Sequence, residues 1–193
     1  MILTETSQAV VTPVSLEEFS AHLRLAHGFP DDGAEDALLD LYLRNAAAAV
    51  ETRIGRALIR RGFRLQVTGW NRDGHMVLPV GPVAAVASVR FVLADDVIEL
   101  PAGSWVLEPG TGRQRLTGAA GGALPPVPDG HAVELTFDAG FGVAPADVPG
   151  DLRHAVMLLA AHHYEERYGD TGARHGMPLA VQALLETWRP VRI

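Results

Sequence analysis

The hydrophobic period of this chain changes twice, and that change limits what it can fold into. Leu39, Leu43, Ala46, Val50 and Ile54 recur at steps of four, three, four and four, which is one face of a single α-helix. From Arg61 the period drops to two, with Phe63, Leu65 and Val67 alternating with Arg64, Gln66 and Thr68. Helical spacing returns after Pro145, through Leu152, Val156, Leu159 and His163. A helical stripe must be buried against something, and neither end of the chain can bury its own. The simplest solution packs the two ends together. The predicted fold class is therefore α+β: a helical bundle formed by the N- and C-terminal helices with an inserted antiparallel β domain, a small sandwich or barrel. The expected boundaries are 1–60 for the first helices, 61–144 for the inserted β domain, and 145–193 for the last helices and tail.

Local signals place the elements. Ser15 followed by Glu18 has the spacing of a capping box, and Val14 with Phe19 is placed to staple across it. The stripe Leu16, Phe19, Leu23, Ala26 predicts a short first helix ending near Gly28. Asp32 and Glu35 repeat the capping pattern before a second helix over 34–54, with Gly55 as its stop. Strand-like runs follow at 75–78, 87–93, 97–100, 104–107, 113–117 and 132–137, separated by turn residues. The glycines at 118–122 read as a mobile hairpin tip. Residues 152–168 predict a long helix ending at Gly169. Pro178 suits the start of a last one, with Leu179, Ala183, Leu184 and Trp188 as its stripe.

Composition bounds the rest. The 193 residues are 48% apolar and include no cysteine, so disulfides and thiolate metal sites are excluded. The start of the chain has no basic segment and no long apolar run, and does not read as a signal peptide. The apolar run at 155–161 is too short for a bilayer, which takes about 20 residues. Folding inside the cell and no membrane partner are the expectations. The net charge of −7 disfavours binding DNA by counterion release. Arg53, Arg56, Arg60, Arg61 and Arg64 are the local exception. They read either as a solvated helix end, favourable to the helix dipole, or as the patch of a small β module that binds nucleic acid or peptide.

No catalytic constellation emerges. His162/Glu165 and His163/Glu166 are spaced by three, so either pair could share a helix face. Two-metal bundles use the order Glu-x-x-His, with further Glu ligands from partner helices; here the order is reversed, and no metal site is expected. The glycines at 110–113 and 118–122 lack the residues of a nucleotide loop, so no cofactor is expected either. Asp138-Ala-Gly-Phe-Gly reads as a strand-to-helix corner rather than a ligand loop. Ala46, Ala47, Ala48 and Ala49 make the second helix thin, which lets a neighbour approach closely, within or between subunits.

Several segments, in order, resemble a known family. They are Pro-Val-Ser-Leu-Glu-Glu at 13–18, Val-Glu-Thr-Arg-Ile-Gly-Arg-Ala-Leu at 50–58, Leu-Pro-Val-Gly-Pro-Val at 78–83, Val-Glu-Leu-Thr-Phe-Asp-Ala-Gly-Phe at 133–141, Leu-Arg-His-Ala-Val at 152–156 and His-Tyr-Glu-Glu-Arg at 163–167. Together they resemble the head–tail connector, or adaptor, proteins of tailed bacteriophages and prophages. The nearest branch is that of the gene transfer agents of alphaproteobacteria. The resemblance covers nearly the whole chain.

It implies a structural protein without enzymatic activity. Such adaptors form a ring, typically dodecameric, beneath the portal protein. The ring extends the DNA channel and offers the tail an attachment through a stopper protein. They are made in the bacterial cytoplasm and end at the head–tail junction of the particle. DNA would pass through without specific binding, and an acidic wall would help it slide. By the same resemblance the portal-facing candidates are Trp188, Arg189, Pro190, Val191, Arg192 and Ile193. A ring needs two different surfaces that meet. Ala46, Ala47, Ala48, Ala49, Arg56 and Arg60, and the exposed edges of the β insertion, are the candidates.

Overall fold

The computed structural model describes residues 1–25, 34–110, 113–166 and 176–189. They form two compact units. One comprises Met1–Ala9 and Arg60–Phe141 and is made of β-structure. The other comprises Val10–Ile59 and Gly142–Ile193 and is helical. The fold is α+β, as the change of period predicted. The segments expected at Ala26, Gly28, Asp32, 167–175 and 190–193 lie outside the described residues, as do Thr111 and Gly112.

In the helical unit, α1 (Leu16–His22) starts with the predicted capping box. The Glu18 amide donates to Ser15 Oγ at 3.1 Å, and the Ser15 amide donates to Glu18 Oε2 at 3.0 Å. Val14 and Phe19 are both buried, as a staple requires. The helix stops earlier than the stripe suggested, because Arg24 adopts a left-handed φ of 54°. Helix α2 (Ala34–Ile54) ends at Gly55, whose φ of 67° lets its amide reach back to the Glu51 carbonyl at 2.8 Å. Its predicted stripe is the core: Leu39, Leu43, Ala46, Val50 and Ile54 are all at most 2% exposed. Against it packs α3 (Gly150–Glu166), through Leu152, Ala155, Val156, Leu159 and Ala160. Each fully buried leucine on these faces contributes about 1.5–3 kcal/mol of transfer free energy.

Helix α4 (Leu179–Glu186) begins just after Pro178, which occupies the cap rather than the first turn. Its inner face differs from the stripe expected through Leu179 and Ala183. Val181 and Leu185 are buried, whereas Leu179 is 82% exposed. Two helical turns are too few for the spacing of apolar residues to fix which side faces inward.

In the β unit, an antiparallel sheet contains β1 (Ile2–Glu5), β2 (Arg61–Val67), β4 (Val83–Leu93), β5 (Asp96–Glu99) and β8 (Ala132–Ala139), in the order β1-β2-β8-β4-β5. A second sheet holds β3 (Met76–Val77), β6 (Trp105–Glu108) and β7 (Arg115–Gly118), in the order β3-β7-β6. Neither closes into a barrel. The register places Phe63 opposite Phe137, Leu65 opposite Leu135 and Val67 opposite Val133. Phe63, Leu65, Val133, Leu135 and Phe137 lie on one buried face with Val89 and Phe91 of β4, and the two phenyl rings stack at 5.6 Å. The opposite face carries Arg64, Gln66 and Glu134, joined by Gln66 donating to Glu134 at 3.1 Å.

The Gln114 side chain ties the second sheet to the first. Its amide group donates to the Val83 carbonyl at 3.0 Å and its oxygen accepts from the Val83 amide. Residues 118–122 are not a hairpin tip. Strand β7 pairs with β3 and β6, not with β8, and the segment folds into a short 3-10 turn over Ala119–Gly121. That turn is closed by the Gly118 amide donating to the Gly122 carbonyl at 2.8 Å. A Cβ on Gly118 would fall 2.0 Å from the Ala123 carbonyl oxygen, so only glycine fits there.

Strand β1 had no signal in the sequence. All four of its residues are exposed, so no alternation of buried and solvent-facing residues marks it.

Candidate assembly surfaces

The residues expected to act as contact surfaces differ in exposure. On α2, Ala46 is a core residue with 0% exposure. Ala47 and Ala49 are half-buried, and Ala48 alone of the four is exposed. Ala46 therefore packs within its own bundle and is removed from the interface candidates. A second α2 stripe, unnoticed in the sequence, is exposed: Leu38, Leu41, Asn45, Ala48 and Thr52 all face solvent, and Leu41 is 51% exposed. Their steps of three, four, three and four define a continuous outer face. The inner stripe masked this signal, because Leu38, Leu41 and Ala48 on the outer side blur the amphipathic pattern of the helix.

The arginines of the cluster have different local partners. Arg56 lies over the Trp188 indole, its Cζ 5.4 Å from the ring centroid. Arg61 pairs with Glu5 at 2.8 Å and Arg64 with Glu134 at 3.7 Å. Arg61 and Arg64 are three apart on β2 and so point to opposite faces of the sheet. Arg53 and Arg60 are exposed.

Trp188 is half-buried and anchored twice. Its indole Nε1 donates to Asp151 Oδ2 at 2.6 Å, beneath the Arg56 guanidinium. Arg189 is exposed and pairs with Glu186 at 3.1 Å. Pro190, Val191, Arg192 and Ile193 lie outside the described residues.

At the far end of α3, His162 Nε2 meets Glu166 Oε2 at 3.3 Å, four residues on. Neither of the three-residue pairings considered from the sequence forms this contact. His163 lines an open pocket with Ala49, Leu159, His162, Glu166 and Met177. Burial pushes the His163 pKa below the ordinary histidine value. The neighbouring His162 adds to this, and Glu166 opposes it. Among the described residues no three His, Asp or Glu side chains converge as metal ligands. No helix among them is long and apolar enough to cross a membrane.

The described residues form a helical unit and a β unit of the α+β class. No protein-family model and no curated protein matches the chain. Solved structures do. A chain from the neck of an empty gene transfer agent (GTA) particle, determined with C6 symmetry, is 46% identical. It aligns over 100% of this chain and 97% of its own length, with a TM-score of 0.88. A chain from the virion of a native GTA particle is also 46% identical over the same spans, with a TM-score of 0.84. A third, from the neck of a native GTA particle determined with C12 symmetry, is 40% identical, with a TM-score of 0.80. The chain belongs to the family of GTA neck proteins. Its relatives are structural components of a phage-like particle, which argues for a structural rather than an enzymatic protein located in such a particle.

Proposed function

We propose that this chain is the head–tail adaptor of its particle. It forms a ring, dodecameric in the particle, beneath the portal protein, extends the DNA channel, and provides the seat for a stopper protein and the tail. The observation that carries this reading is the full-length similarity to neck chains from symmetric assemblies, at 40–46% identity. Rotational symmetry in those assemblies requires that two different surfaces of one chain meet in successive copies. The outer α2 stripe of Leu38, Leu41, Asn45 and Ala48 suits one of them, because it is exposed and partly apolar. Arg60 is exposed and remains a contact candidate, while Arg56 acts on Trp188. The segment from Trp188 to Ile193 is the portal-facing end. DNA passes without specific binding, in keeping with the net charge of −7.

The experiment that tests this is a reconstruction of the neck of the particle that contains this chain. The expected result is a single ring of twelve copies between the portal and the next tail protein, with residues 188–193 against the portal. Density for this chain at the capsid shell or the tail tip would contradict it.

A further inference from the structure

We infer that the five-stranded sheet is continued from one copy of this chain to the next, the β1 edge of one copy pairing with the β5 edge of its neighbour. The inference rests on the ring assembly proposed above and assigns its contact to particular backbone atoms.

The two ends of the sheet are both open and closely matched. Among the described residues β1 pairs only with β2, and β5 only with β4. Each is four residues long, each is exposed throughout, and neither contains proline or lysine. Natural sheet edges that must stay single are blunted by proline, by charges such as lysine, by shortness or by a covering element; these two are short and carry acids but have neither proline nor lysine. Here apolar side chains stand at both edges instead: Ile2 is 63% exposed, Val97 53% and Ile98 42%.

The hydrogen-bond ladder says which backbone groups face outward. The Thr6 amide donates to the Gly62 carbonyl at 2.9 Å, which marks 6 and 62 as a bonded pair. Bonded pairs alternate along an antiparallel ladder. Thr4 and Ile2 therefore bond to β2, and the amides and carbonyls of Leu3 and Glu5 point away. Likewise the Leu100 amide donates to the Val89 carbonyl at 2.9 Å. Ile98 and Asp96 then bond to β4, and the groups of Val97 and Glu99 point away. Each edge thus presents two amides and two carbonyls to a partner strand.

Charge does not oppose the pairing. The acids on both edges already have partners within their own chain: Glu5 pairs with Arg61 at 2.8 Å and Glu99 with Arg90 at 3.2 Å, and Asp96 Oδ2 lies in hydrogen-bond contact with His131 Nε2 at 3.1 Å. Symmetry selects the partner edge. Pairing β1 with β1, or β5 with β5, closes after two copies, whereas β1 with β5 repeats around a ring. A strand from another protein would fill one edge and leave the other open.

The absence of native cysteine makes a direct test possible. Facing residues across a strand pair sit about 4.5–5.5 Å apart at Cα, within disulfide range. Particles carrying Leu3→Cys with Val97→Cys, or Leu3→Cys with Glu99→Cys, are oxidised and run on a non-reducing gel. The expected result is a ladder extending beyond the dimer for at least one pair, and none for any single substitution. Monomers or dimers alone, in particles that hold the normal amount of this chain, would overturn the inference and leave the adaptor reading intact. Wild-type chain missing from purified particles would instead sink the adaptor reading.

Hydrogen exchange on the wild type needs no variant. Peptides covering 2–5 and 96–99 are expected to exchange at least about tenfold more slowly in the particle than in the isolated chain. Equal rates in the two states would overturn the inference even if the paired variants fail to assemble.

Discussion

The Trp188 indole donates to Asp151 across 37 positions of sequence, at 2.6 Å, with Arg56 stacked above the ring. Three segments of the helical unit meet there: the residues just after α2, the first turn of α3, and the end of α4. The half-buried ring explains how a helix of eight residues is held at its C-terminal end. Trp188→Phe keeps the ring and removes the hydrogen bond to the carboxylate, and is expected to cost about 1–2 kcal/mol in denaturant unfolding. Asp151→Asn should cost less, since an amide oxygen still accepts. An unchanged midpoint in Trp188→Phe would show that the contact contributes nothing.

Glu18 closes the α1 cap and also receives Arg153 of α3 at 2.6 Å, while Arg153 Nε donates to the Pro13 carbonyl at 3.0 Å. The Ser15 amide, and then Arg153, hold the Glu18 carboxyl below its ordinary value. A depressed folded pKa means that the unfolded chain binds the proton more readily. The stabilisation is therefore complete above the unfolded value, roughly 4.3, and is lost as pH falls through the lower folded value. Glu18→Gln should melt below wild type at neutral pH, with the gap narrowing toward pH 3. A gap independent of pH would contradict the assignment.

Two glycines of the β unit offer a matched pair. A Cβ at Gly118 meets the Ala123 backbone oxygen at 2.0 Å, whereas one at Gly69 meets nothing within 4 Å. Gly118→Ala must move backbone and is expected to destabilise by about 1–3 kcal/mol or more. Gly69→Ala should lie within about 0.5 kcal/mol of wild type. Chemical denaturation of both decides this, and equal effects would mean that the loop after β7 is not packed as described.

Removal of residues 191–193 separates fold from attachment. The shortened chain retains Trp188 and its two partners, so its melting temperature is expected to match the full chain. Binding to the portal is expected to weaken. Normal tail attachment after this deletion would remove the portal-facing assignment while leaving the adaptor role in place.

Which features the sequence disclosed follows from how local their causes are. Ser15 and Glu18 are three residues apart, and their cap was legible because both partners lie in one turn. The α2 core from Leu39 to Ile54 was legible because a long period repeats enough to be unambiguous. Strands β2 and β8 showed themselves through the alternation that buries Phe63 and Phe137 on one face. β1 did not, since an edge strand without a buried face has no alternation to display. The inner side of α4 was misjudged because two turns allow either Leu179 or Val181 to lead. The Trp188–Asp151 bond, the fit of Gly118 against Ala123 and the outer stripe of α2 depend on which segments the fold brings together. Composition carries no trace of that.

The central claim is that this chain joins head to tail, and loss of the chain tests it most directly. Electron microscopy of particles from producing cells that lack it should show DNA-filled heads and separate tails, with attachment restored by the wild-type chain. Intact tailed particles at normal frequency without the chain would contradict the account.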